Sequence, residues 1–150
     1  MVQKITPNLW FDGNAKEAVE FYTSVFPNST ITQTTYYPTE GLADFQKDMA
    51  GKELMIDFML GDNRFLAINA GPEFHFTEAV SFMVTCKDQA EIDYYWEKLS
   101  RVPEAEQCGW CKDQYGLSWQ IVPENMDELM QRPDAFQHMM QMKKLVIADF

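Results

Sequence analysis

The chain has 150 residues, of which 46% are hydrophobic and 14% aromatic, so it can bury a core without disulfides or a structural metal. Its formal net charge of −11 opposes binding to nucleic acid and to anionic membrane surfaces, and we expect neither as a partner. The absence of a long apolar run or signal sequence, together with only three cysteines, predicts a cytoplasmic protein with reduced thiols.

The first half of the chain predicts one strand, one helix and three further strands. Residues 9–26 run from a strand into a helix, and Asn14 and Glu17 have the spacing of a capping box at its start. Strand patterns follow at residues 30–37, 53–60 and 64–70, the last two joined by a hairpin turn. The polar segment 38–52 is long for a loop, which predicts a lid or a short helix.

The second half repeats this order at an offset of 73 or 74 residues. Residues 81–99 again lead from a strand into a helix, with a second capping box at Asp88 and Glu91. Strand signals follow at residues 107–113 and 117–123. Past Pro123 the pattern becomes helical, and its methionines are typical of a helix that covers a sheet or of a dimer contact.

The repeat predicts an α+β fold built from tandem βαβββ modules, although the second half shows clear signals for one strand fewer. We expect residues 1–77 to form the first module, 78–123 the second and 124–150 a C-terminal helical extension, all within one integrated domain. Alternation along the strands separates an apolar face, which the helices would cover, from a mixed face with large aromatics. The modules would form a curved mixed sheet with helices on the convex face and a ligand cleft on the concave one.

Cys108 and Cys111 have the spacing of a redox or zinc motif. We place both on a strand, where they would point to opposite faces, too far apart for a disulfide. A thioredoxin-type site needs a helix at the first cysteine, and a zinc site needs about four ligands, which the remaining Cys86, His75 and His138 do not supply at ligand spacing. We therefore interpret this stretch as a hairpin that carries pocket-lining aromatics.

Five stretches resemble one family: "ITPNLWFDGNAKEAVEFYTSVFPNS", "FLAINAGPEFHFTEAVSF", "DYYWEKLS", "QCGWCKDQYGLSWQIVP" and "MQMKKL". Together with the duplicated modules, they resemble the vicinal oxygen chelate superfamily, which includes glyoxalase I, bleomycin-resistance proteins and extradiol dioxygenases. More narrowly, they resemble its PhnB-like branch, whose members are often described as 3-demethylubiquinone-9 3-methyltransferases. The branch usually has an apolar residue where this chain has Cys111.

The resemblance implies a divalent metal held by side chains on the first and last strand of each module. Carried over to this chain, those positions fall near Thr6, near Ala79, near Ala67 or Asn69, and at Gln120. Alanine cannot bind a metal, and Thr6 and Asn69 are poor ligands, so we expect no metal site of this kind. The seven glycines include no Gly-x-Gly, so we also expect no S-adenosylmethionine and no other cofactor.

Three functions remain open at this level. The first is a metal-independent small-molecule-binding protein with an aromatic-lined cleft, for which an aromatic compound is one candidate ligand. The second is an enzyme, such as a methyltransferase, lyase or isomerase acting on an aromatic or oxo substrate, with Asp57 as a candidate for the general base. The third is an interaction protein that uses its methionine-rich end, and we expect a homodimer. The predicted ligand-binding residues are Asn8, Trp10, Asp57, Met83, Trp110, Ser118 and Gln120.

Overall fold

The computed structural model describes residues 3–150 of the chain. The chain divides into two compact units, residues 1–75 and 76–150. The helices that follow Pro123 belong to the second unit, and the predicted module boundaries at residues 77 and 123 stay predictions. Among the described residues, no helix is both long and apolar enough to cross a membrane.

The first unit has the predicted order of strand, helix and three strands. Its elements are β1 (Asn8–Asp12), α1 (Ala15–Val25), β2 (Thr30–Tyr36), β3 (Glu53–Leu60) and β4 (Asn63–Ala70). The sheet order is β1-β4-β3-β2, with β1 parallel to β4 and the other pairs antiparallel. The segment predicted as a lid or a short helix contains a 3-10 helix at Asp44–Met49.

Alternation along the strands of the first unit sorts its side chains as predicted. Leu9 and Phe11 on β1 are buried, whereas Asn8 and Asp12 are exposed. The helix buries Ala18, Tyr22 and Val25, which lie on one face. Apolar burial on this single sheet face holds α1 in place.

Strand β2 forms one edge of this sheet and is mostly exposed. Its pairing with β3 is interrupted twice, between Ile31 and Gln33 and between Thr35 and Tyr36. Each interruption is a bulge or irregularity, at which the regular ladder of hydrogen bonds is lost.

The second unit contains a smaller sheet and several short helices. Its elements are β5 (Ser81–Cys86), α2 (Gln89–Leu99), β6 (Trp110–Lys112), β7 (Ser118–Pro123), α3 (Met126–Leu129) and α4 (Ala135–Met140). The sheet order is β5-β7-β6, with β5 parallel to β7 and β6 antiparallel to it. The predicted α+β class is therefore confirmed, with the strands in two small mixed sheets.

The described part of the second unit has three strands, where a full repeat predicts four. The missing strand would lie between α2 and β6, but there Pro103–Ala105 forms a 3-10 helix with Pro103 at its start. Because proline has no backbone N–H, it favours a helix start over a paired strand. The chain then reverses in a tight turn before β6 begins.

One of the two predicted helix caps is confirmed and the other is wrong. Asp88 Oδ1 accepts a hydrogen bond from the Glu91 backbone N–H at 2.9 Å, as predicted for α2. The side chain of Asn14 makes no cap hydrogen bond at α1. Instead, Asn69 on β4 accepts from the Ala15 backbone N–H with its Oδ1 at 3.1 Å. A buried side chain from another element has replaced the local cap.

Candidate functional site

A cavity of 810 Å³ lies within the second unit, between the open face of its sheet and the C-terminal segment. Its volume falls in the usual range for small-molecule sites. The lining is mainly apolar, and it includes sheet residues and four methionines. The lining residues are Glu78, Met83, Thr85, Ala105, Gln107, Cys108, Trp110, Gln120, Val122, Pro123, Glu124, Met126, Met139 and Met140.

Three of the predicted ligand-binding residues form a row across this sheet. Gln120 on β7 pairs with Met83 on β5 and with Trp110 on β6, so the three side chains share one face. All three line the cavity. The Gln120 amide donates from Nε2 to Ser81 Oγ at 2.9 Å, which fixes the orientation of the amide at the centre of the row.

Ser118 lies on the same strand and the same face but does not line the cavity. It is buried, and its Oγ has no hydrogen-bond partner among the described residues. Ser118 pairs with Ser81 on β5 and with Lys112 on β6. Lys112 in turn forms an ion pair with Glu78, which lowers the pKa of that carboxyl.

On the opposite face of the sheet, the buried carboxylate of Asp113 accepts several hydrogen bonds. Asp113 Oδ1 accepts from the backbone N–H groups of Tyr115 (2.8 Å) and Leu117 (3.1 Å), which closes the turn between β6 and β7. Asp113 Oδ2 accepts from the indole Nε1 of Trp119 at 2.9 Å. Trp119 is thereby fixed beneath the sheet, and Trp110 is the tryptophan that faces the cavity.

The C-terminal segment forms the other wall of the cavity. Leu129, Ala135, Leu145 and Phe150 form a buried cluster, against which Val122 of the sheet and several methionines pack. Met126 and Met139 contribute both to this packing and to the cavity lining. The methionine-rich end therefore covers the sheet within its own unit, one of the two outcomes predicted for it.

Cys108 does not lie on a strand, so that prediction is wrong. Cys108 and Gly109 are the two central residues of a tight turn that Gln107 and Trp110 close with hydrogen bonds in both directions, and both have positive φ, +50° and +87°. These values fit a two-residue hairpin turn. A Cβ at Gly109 would lie in tight contact with Leu145 (3.0 Å) and the Ile121 carbonyl (3.1 Å), and the positive φ also disfavours other residues, so glycine is favoured there.

The three cysteines are free and differ in environment. Burial raises the pKa of Cys86 and of Cys111 to about 12, with smaller contributions from nearby acids. Their thiols therefore stay protonated at neutral pH. Cys108 is half-buried and lines the cavity.

The other predicted site residues lie in the first unit, where each has a partner. Trp10 donates from Nε1 to the Gly71 carbonyl at 2.9 Å and packs edge-on against Phe74, with ring centres 4.8 Å apart. Asn8 donates from Nδ2 to the Thr6 carbonyl at 2.9 Å. A role for Trp10 and Asn8 in ligand binding stays a prediction.

Asp57 forms a two-point ion pair with Arg64. Arg64 Nε lies 2.9 Å from Oδ1 and its terminal nitrogen 2.5 Å from Oδ2. The hydrogen bonds from Arg64 hold the pKa of the Asp57 carboxyl below its usual value, against a smaller effect of burial. A carboxylate with a lowered pKa is a weak proton acceptor, which reduces its suitability as a general base.

Comparison with known families identifies the chain. The family model described as 3-demethylubiquinone-9 3-methyltransferase matches residues 3–122. The chain belongs to this family. A PhnB protein from Bacillus cereus has 34% sequence identity to it, over 81% of this chain and 99% of that one, with a TM-score of 0.65. The predicted resemblance to the PhnB-like branch is confirmed.

More distant structures share the fold alone. Protein PA1353 from Pseudomonas aeruginosa is 19% identical, over 82% of this chain and 98% of that one, with a TM-score of 0.60. The fosfomycin resistance protein FosX from Mesorhizobium loti is 13% identical, over 88% and 100%, with a TM-score of 0.56. Comparison with curated proteins gave no significant match.

The residues present do not fit the divalent metal that the superfamily implies. Ala67 and Asn69, the positions carried over to β4, face α1, where Asn69 caps the helix and also donates from Nδ2 to the Glu53 carbonyl. Gln120 donates from Nε2 to Ser81 Oγ, which leaves its Oε1 as a single possible oxygen ligand at this position. Within residues 3–150, no three His, Cys, Asp or Glu side chains are placed to hold a metal ion.

The residues present also do not fit S-adenosylmethionine bound in the common way, at the N-terminus of a helix after a first strand. At α1 the Ala15 N–H is bonded to Asn69, and at α2 the Glu91 N–H is bonded to Asp88. One backbone N–H at each of these helix starts is therefore already bonded to a side chain of this chain. The family description names a methyltransferase, but these two helix starts provide no such site.

Proposed function

We propose that this protein binds a flat, largely apolar small molecule in the cavity of its second unit, without a divalent metal ion. The observation that carries the proposal is the row formed by Met83, Gln120 and Trp110 across one sheet face. It provides an indole ring for stacking, a thioether for apolar contact and an oriented amide for a polar group of the ligand.

The charge of the cavity favours a neutral or cationic ligand over an anionic one. Glu78 and Glu124 line it, and none of the lining residues that the structure describes is basic. Glu78 is partly neutralised by Lys112, whereas Glu124 is exposed and forms no ion pair among the described residues. The net charge of −11 acts in the same direction.

The alternative of an enzyme depended on Asp57 as the general base. The two-point pair with Arg64 supports a structural role for this carboxylate instead. Binding without catalysis is therefore the simpler proposal. We further infer that the protein works in the cytoplasm, which suits its three free thiols, and that it functions as a homodimer.

Tryptophan fluorescence tests the proposal directly. Proflavine, a flat aromatic cation, is expected to quench Trp110 saturably, and EDTA is expected to leave the titration unchanged. Acridine-9-carboxylate, an anion of similar shape, is expected to bind at least about tenfold more weakly, because like charges repel within the cavity.

Matched variants locate the binding. Trp110→Leu is expected to abolish saturable quenching, whereas Trp96→Leu, on the outer helix α2 and away from the cavity, is expected to retain it. Circular dichroism establishes that both variants are folded. Equal loss in both variants, or binding that requires an added divalent metal, would contradict the proposal.

A further inference from the structure

Several sulfur-containing side chains line the cavity, and two of their sulfur atoms are in contact. Cys108 Sγ lies 3.6 Å from Met140 Sδ. Met83, Met126 and Met139 line the same cavity, so one thiol and four thioethers border a single space. The small-molecule proposal uses only Met83 of these residues, which leaves the pairing of Cys108 with Met140 unexplained.

The backbone holds the two sulfur atoms together. The Cys108 N–H donates to the Met142 carbonyl at 2.8 Å, and the Gly109 N–H donates to the Lys143 carbonyl at 2.8 Å. These bonds fasten the hairpin turn to the segment that follows Met140. Gln107 adds a third link, because its Nε2 donates to the Met140 carbonyl at 2.9 Å and to Cys108 Sγ at 3.1 Å.

The turn holds Cys108 in an uncommon conformation. A non-glycine residue at φ +50° is disfavoured, and Asn or Gly is the usual choice at this position of a two-residue hairpin. Cysteine offers the backbone none of the local hydrogen bonds that make Asn tolerant of this region. In this conformation the Cys108 side chain contacts Met140.

The distance between the sulfur atoms of Cys108 and Met140 suits two ligands of one metal ion. With metal–sulfur bonds of about 2.3 Å, two sulfur atoms 3.6 Å apart subtend an angle of about 100° at the metal, close to tetrahedral. Thiolate and thioether ligands select soft ions such as Cu(I), whereas carboxylate and carbonyl oxygens select Mg²⁺, Ca²⁺ or Mn²⁺. We propose that Cys108 and Met140 form a binding site for a soft monovalent metal ion, Cu(I) or its analogue Ag(I).

Met126 and Met139 are the candidates for a third ligand, because both line the same cavity and Met139 neighbours Met140 on α4. As the metal–sulfur bond forms, the Cys108 sulfur supplies the electron pair and its proton leaves to solvent, with no change in the oxidation state of the ion. One proton is therefore released for each ion bound from a protonated thiol.

The other two thiols do not compete for the ion. Cys86 and Cys111 are buried, and a pKa of about 12 keeps each of them protonated at neutral pH. The site uses none of the strand positions at which the superfamily holds its divalent ion, and its ligand chemistry differs, although one of those positions, Gln120, lines the same cavity. It shares the cavity with the proposed small-molecule site but is argued from different residues, Cys108 and Met140.

Competition with bicinchoninate for Cu(I) under anaerobic conditions, and titration with Ag(I), test the site. The wild-type chain is expected to bind one ion, with the ultraviolet charge-transfer band of a Cu(I)–thiolate. Cys108→Ser and Met140→Leu are each expected to weaken binding at least about tenfold. Met130→Leu is the matched control, because Met130 packs on the C-terminal cluster but does not line the cavity.

Circular dichroism establishes that each variant is folded, and Cys86→Ala controls for the loss of a thiol elsewhere. Retained binding in Met130→Leu and Cys86→Ala supports the site. The proposal is overturned if the wild-type chain fails to hold one ion in competition, or if Cys108→Ser binds as tightly as the wild type. Equal losses in Met130→Leu and Met140→Leu would overturn it as well. Proflavine titration reports separately on the small-molecule proposal.

Discussion

Asn69 on β4 caps α1 through the backbone N–H of Ala15, at 3.1 Å, although 54 residues separate the two in sequence. The Asn69 side chain also donates to the Glu53 carbonyl at 2.9 Å. A single buried amide thus joins the start of the helix to two strands of the first sheet.

Asn69→Ala is expected to lower the free energy of unfolding by about 2–3 kcal/mol, because it leaves a buried N–H and a partly buried carbonyl without partners. Asn14→Ala, at the cap position itself, is expected to change it by no more than about 0.5 kcal/mol, since the Asn14 side chain makes no cap bond. Urea denaturation measures both. A larger cost for Asn14→Ala than for Asn69→Ala would refute this account of the cap.

Asp113→Asn is expected to destabilise the chain by about 1–3 kcal/mol. The amide oxygen can still accept from the backbone of the turn, but the NH₂ group then faces the Trp119 indole N–H, donor against donor. In a Trp119→Phe background that conflict is absent, so the penalty is expected to fall by at least about 0.5 kcal/mol. Chemical denaturation of the wild type, the two single variants and the double variant gives the coupling free energy between the two positions. Additive losses of stability would argue against the Asp113–Trp119 hydrogen bond.

Cys108 is expected to react with a thiol reagent such as Ellman's reagent in the native protein, well before the other two cysteines. It is half-buried on a cavity wall, whereas Cys86 and Cys111 are buried with pKa values of about 12. One equivalent should react rapidly at neutral pH, and three after unfolding. Cys108→Ser should remove the rapid phase. Rapid labelling of Cys111 in the native state would contradict its burial.

The Asp57–Arg64 pair is expected to give a small, pH-dependent contribution to stability. Asp57→Asn should cost less than about 1 kcal/mol at neutral pH, because the Arg64 side chain is 41% exposed and solvent screens the pair. The folded-state pKa of Asp57 lies below its ordinary value of 3.8, so the contribution is full above pH 3.8 and is lost as the pH falls further.

Thermal denaturation from pH 7 down to pH 2.5 measures the difference between wild type and Asp57→Asn. That difference should shrink at the acid end. Asp62→Asn, an exposed change in the neighbouring hairpin turn, serves as the control and should behave as the wild type throughout. A difference that grows at low pH would show that the pair does not stabilise the fold.

Most of the fold follows from local sequence patterns. The alternation in residues 53–60 predicted β3 with the bounds it has in the structure, and Asp88 marked the start of α2. Alternation also assigned Met83, Trp110 and Gln120 to one face, because a strand exposes every second side chain to the same side. Their alignment in a single row depends on strand register, which the sequence did not specify.

Two errors have a common origin in contacts between distant parts of the chain. The cap of α1 comes from Asn69, which no local pattern around Asn14 could reveal. The turn at Cys108 lacks the Asn-Gly or Asp-Gly pair that usually marks a two-residue hairpin, and its backbone is bonded to Met142 and Lys143 instead. Gly109 was the one local signal of the turn.

The two interruptions along β2 affect how this protein behaves at high concentration. An exposed edge strand presents unpaired N–H and C=O groups to which a strand of another molecule can add. Here Thr30–Tyr36 departs from regular pairing at Ile31/Gln33 and again at Thr35/Tyr36, so few consecutive residues keep the geometry that an incoming strand requires. We expect concentrated solutions to resist fibrillar self-association through this edge.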